Sequence, residues 1–78
     1  MIKDFITEIA LQMGVPFTNA LIVDGYDVHF LQIFSGEHLV STLIRQSELD
    51  DLKNGVSNIE LDLKIRNALN RLQIQREL

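Results

Sequence analysis

Few residues of this chain could do chemistry, and their spacing argues against most of it. His29 and His38 are its two histidines, and Asp27 stands two positions before His29, on the same face of any strand that holds both. Two imidazoles and a carboxylate can bind zinc or move protons. They would have to converge, and on neighbouring strands the histidines fall far apart, with Ile33 rather than His29 opposite His38 in one register. Asp24 and Asp27 flank Gly25, and Glu48, Asp50 and Asp51 form a second acidic group. Paired carboxylates act as general acid and base when one is desolvated, but a turn and a helix N-terminus account for all five. Ser35 lies outside any Gly-x-Ser-x-Gly elbow, and Gly14, Gly25, Gly36 and Gly55 form neither a phosphate loop nor a dinucleotide fingerprint. No catalytic residue, metal site or cofactor is expected.

Tyr26, Phe30 and Phe34, at i, i+4 and i+8, could stack bases as an RNA-binding sheet does, but stacking needs exposure and nearby Lys or Arg. The strands expected here contain no base, so these aromatics read as core. The net charge of -4 is unevenly spread. Between Asp4 and Leu52 eight acids face one base, Arg45, whereas Lys53, Lys64, Arg66, Arg71 and Arg76 outnumber three acids thereafter. Counterion release rewards bases laid along phosphates, so an acidic body with dispersed bases is a poor nucleic-acid binder. Direct binding through Lys64, Arg66, Arg71 and Arg76 is the least favoured reading.

The elements that position these residues are organised around Ala20–Phe34, two apolar segments joined at Asp24-Gly25, a strong two-residue hairpin signal of type I′. Such a loop puts Val23 opposite Tyr26, Leu21 opposite Val28 and Asn19 opposite Phe30. Leu21, Val23, Tyr26, Val28, Phe30 and Phe34 then form the expected core face. Ala20, Ile22, Asp27, His29, Leu31 and Ile33 form the other, which is too apolar for open water and is expected to meet a partner. Ser35-Gly36-Glu37 connects to a third strand, His38–Ile44, whose register stays open. A two-residue loop brings Leu39, Ser41 and Leu43 to the Phe30 face, and a three-residue loop brings Val40 and Thr42.

Ile2, Phe5, Ile6, Ile9, Ala10 and Met13 recur at helical spacing, with Gly14 and Pro16 ending that helix near Met13. Ser47 to Gly55 reads as a short helix with Ser47 as its N-cap and only Leu49 and Leu52 as anchors, the least protected element of the chain. Ser57 and Glu60 match a capping box that opens a C-terminal helix. The alternation from Ile59 to Ile65 says strand, but Leu61, Ile65, Ala68, Leu69 and Leu72 keep a helical stripe through the same window. On that helix Ile59, Leu63 and Ile74 form a second apolar strip opposite the first.

The whole reads as one small α+β domain over residues 1–78, ordered α-β-β-β-α-α. So short a chain buries only about 60 to 65% of its unfolded surface. Without cysteine, self-association is the available supplement. The N-terminus resembles neither signal nor transit peptide, no apolar run approaches the roughly 20 residues of a membrane span, and a cytoplasmic location is the default. The expected function is non-enzymatic protein binding by a homodimeric adaptor, regulator or inhibitor, through Ile59, Leu63 and Ile74 with Asp27, His29, Leu31 and Ile33. The alternative uses the acidic surface of Asp24, Asp27, Glu48, Asp50 and Asp51. It would be a virus- or mobile-element-encoded inhibitor of a host nucleoprotein such as a CRISPR effector or restriction enzyme.

Overall fold

Ile6, Ile9 and Ala10 stand one turn apart and are buried, which is why the first apolar stripe forms helix α1 (Ile2–Met13) rather than a strand. Gly14 closes it in the left-handed conformation at φ 70°, and its N–H reaches the Ala10 and Leu11 carbonyls. The computed structural model describes residues 1–77. After α1 come β1 (Asn19–Val23), β2 (Val28–Ser35), β3 (His38–Arg45), α2 (Gln46–Lys53) and α3 (Ile59–Glu77). This is the expected α+β order, with one antiparallel sheet of order β1-β2-β3.

The β2–β3 connection is the two-residue loop Gly36-Glu37, with Ser35 paired to His38. Gly36 has φ 60° whereas Glu37 does not take positive φ, the pattern that a type II′ hairpin requires. The register follows: Phe30 pairs with Leu43 and Phe34 with Leu39, so Leu39, Ser41 and Leu43 share the Phe30 face.

The β1–β2 connection differs from the expected type I′ turn. Val23 pairs with Phe30 and Asn19 with Phe34, four positions beyond the expected register. Gly25 does not take positive φ. Its N–H instead donates to Nδ1 of His29 at 3.2 Å, and Gln46 N–H donates to the Asp27 carbonyl at 2.9 Å, so side chain and helix start hold a longer loop. Because the shift is even, the strand residues keep their face-mates.

Which face is inside is the reverse of the sequence expectation. Ala20, Leu31, Ile33, Val40 and Ile44 are buried, whereas Leu21, Val23, Val28, Phe30, Leu39 and Leu43 are exposed and Tyr26 stands in the loop. Leu31, Ile33 and His29 are therefore core residues of this chain, not contacts for a partner, although Asp27 is exposed. The cause lies in the polar residues. Gln32, Ser41 and Arg45 occupy the open face, where a charge stays solvated. His29 on the inner face has both ring nitrogens partnered, Nε2 with Oε1 of Gln46 at 2.6 Å.

Leu61, Ile65, Ala68, Leu69 and Leu72 form the buried stripe of α3, which packs on the inner side of β3 and β2, while α1 packs on α3. Helices cover one sheet face only, consistent with a smallest dimension of 17 Å. The N-caps lie beside the expected ones. Asn58, not Ser57, caps α3 by accepting the Leu61 N–H at 3.0 Å, and it donates to Asp51 at 2.8 Å. At α2 the cap position is Arg45, not Ser47, and Oε1 of Glu48 accepts its N–H at 2.8 Å. Arg71 and Gln75 on α3 donate to the Ser41 and Leu39 carbonyls, occupying the outer edge of β3.

Candidate protein-binding surface

Alternation along β2 decides what the open face presents: Val28, Phe30, Gln32 and Phe34 point away from the helices. Cross-strand pairing arranges the neighbours in rows. Asn19, Phe34 and Leu39 make one row, Leu21, Gln32 and Ser41 the next, then Val23, Phe30 and Leu43, and Val28 with Arg45 at the end. Leu21 (48%), Val23 (48%), Phe30 (51%) and Leu43 (50%) are about half exposed. A protein of net charge -4 thus carries a sheet face with no acid and a single base. Sequence reasoning missed this surface by assigning Phe30 to the core. Gln32 between the two phenylalanines was the signal that could have found it.

The expected strip on α3 is exposed but divided. Ile59 (77%) and Leu63 (52%) stand one turn apart and, with Phe5, line a shallow groove of about 280 Å³ bordered by Ser57, Asn58 and Asp62. Ile74 is also half exposed. It lies three turns beyond Leu63, about 16 Å at 1.5 Å per residue, with the exposed polar Asn67 and Asn70 between. The structure does not bring the three residues into one patch.

The acidic residues are not a single surface either. Glu48 is buried at 2% exposure, contrary to its expected place among the surface acids, and is ion-paired to Lys64 at 2.6 Å. Burial follows from its position, since the third residue of α2 turns back over the end of β3 to take the Arg45 N–H. Asp51 accepts from Asn58, which ties α2 to the start of α3, and Asp50 accepts from Gln46 within α2. Asp24 is exposed and lies 3.4 Å from Nδ1 of His29.

His29 and His38 sit near opposite ends of the β2–β3 ladder, His29 facing Ile44 and His38 facing Ser35. Among the described residues no group of three His, Cys, Asp or Glu is placed to hold a metal ion, and no helix is long and apolar enough to cross a membrane. No protein-family model matches the chain, and no curated protein or solved structure matches it significantly.

Proposed function

We propose that the chain is a small non-enzymatic protein-binding module that acts by occupying a partner's surface, itself included. The observation that carries this reading is the uncovered sheet face. Its apolar side chains lie in contiguous rows rather than scattered singly, and a contiguous apolar patch rimmed by polar groups is how a protein contact surface looks in an unbound subunit. The exposed Ile59–Leu63 pair beside Phe5 adds a smaller apolar site on the other side of the molecule. His29, Glu48 and Asp51 are engaged in the β1–β2 loop, the cap of α2 and the α2–α3 junction, which favours binding over catalysis.

Capture from the source cells followed by native mass measurement of the complex tests this. Wild-type chain should retain a protein, and at least one of Phe30→Asp and Leu63→Asp should release it with helicity unchanged. Retention indifferent to both substitutions would remove the basis for the reading.

A further inference from the structure

We infer that the open sheet face is covered by a second copy of this chain, packed face to face about a two-fold axis that crosses β2 at Gln32. The inference rests on the protein-binding reading and names its partner. Strands β2 and β3 of eight residues and β1 of five, spaced about 4.8 Å apart and rising about 3.3 Å per residue, give a footprint of about 330 Å². Corrugated by half-exposed side chains, that footprint offers roughly 600 Å² of accessible surface. Two copies then bury about 1,200 Å² together, the lower end of what specific interfaces bury.

Charge selects the face that a second copy can use. Two copies of a chain with net charge -4 repel, and they can approach only where neither presents acid. The face of β1, β2 and β3 that turns away from the helices is such a place, because its single charge, Arg45, stands at the end of the array. Its layout is also self-complementary. Gln32 is the only polar residue on the exposed side of β2 and lies between Phe30 and Phe34. A two-fold axis at Gln32 sets the amide against its twin, and an amide both donates and accepts. The same axis lays Phe30 of one copy over Phe34 of the other, an aromatic contact made twice.

Sedimentation equilibrium from about 5 µM to about 1 mM reads the outcome, a span chosen for an interface at the small end of its class. The mass should climb from 8.9 kDa toward twice that value. Gln32→Glu, which changes one atom and places two carboxylates at the axis, should weaken association at least about tenfold, Gln32→Leu should preserve or strengthen it, and Leu63→Asp should leave it unchanged. Circular dichroism checks that each variant keeps the fold. A folded chain that stays at 8.9 kDa throughout overturns the inference. So does a dimer that ignores Gln32→Glu or is split by Leu63→Asp. If a monomeric chain still captures another protein in a Phe30-dependent way, the second copy is rejected while the protein-binding reading stands.

Discussion

Lys64 reaches from α3 to Glu48 on α2, Nζ to Oε1 at 2.6 Å, and the carboxylate it meets is 2% exposed. The same oxygen accepts the Arg45 N–H, whereas Oε2 is buried without a hydrogen-bond partner. Removing one member of a buried pair strands the other charge, which costs about 3 to 5 kcal/mol when both are buried. The Lys64 side chain is 30% exposed, so Lys64→Ala should cost less, about 2 kcal/mol, read from urea midpoints at neutral pH. Lys53→Ala, at the exposed C-terminal end of α2, should stay within about 0.5 kcal/mol. The double variant Glu48→Gln with Lys64→Met should recover more than half of the loss, since neither charge remains.

Phe30 and Leu31 are sequence neighbours on opposite sides of the sheet, 51% and 0% exposed. Leu31→Ala opens a cavity under α3 and should cost about 2 to 5 kcal/mol. Phe30→Ala should cost the monomer under about 1 kcal/mol, because little packing is lost. Denaturation at a concentration low enough to keep the chain monomeric makes the comparison, and the opposite order would place the helices on the other face.

The ring of His29 joins three segments: Nδ1 accepts the Gly25 N–H and Nε2 contacts Gln46 at the start of α2. His29→Leu removes both bonds, and because Gly25 and Gln46 are exposed and can turn to water it should cost about 0.5 to 1.5 kcal/mol. Its signature is local, since the Gly25 amide should lose protection from hydrogen exchange before the amides of β2 do. Gly25→Ala should destabilise comparably for a different reason. A Cβ there would lie 1.9 Å from the Val28 carbonyl oxygen, so the loop must move.

Asn58 and Ser57 offer a direct comparison at the start of α3. Asn58→Ala removes both the cap on Leu61 and the link to Asp51, and should lower stability by about 1 to 2 kcal/mol. Ser57→Ala, one residue outside the cap, should change it by no more than about 0.5 kcal/mol in the same thermal melts.

Periodicity carried most of the architecture. The stripe from Leu61 to Leu72, the end of α1 at Gly14 and the order of the strands all follow from spacing and from residues with one backbone use. What spacing does not carry is the sign of a two-faced sheet. Both faces of β2 are apolar, and hydrophobicity alone favoured the one with aromatics. The choice was made by groups that only three dimensions bring together, His29 with Gln46 inside and Arg45 in solvent outside. For the same reason Glu48 looked like one more surface acid, because Lys64, its partner, is 16 positions away and on another helix. The open sheet face was legible only through Gln32, a lone amide in a run of large apolar side chains.

The bonds from Arg71 and Gln75 to the β3 edge bear on where another strand could join this sheet. A sheet recruits a further strand through the unpaired N–H and C=O groups of an edge. Here two carbonyls of the β3 edge are already bonded to the chain's own helix, which leaves β1 the freer edge. A strand from another chain would therefore be met at β1 before β3.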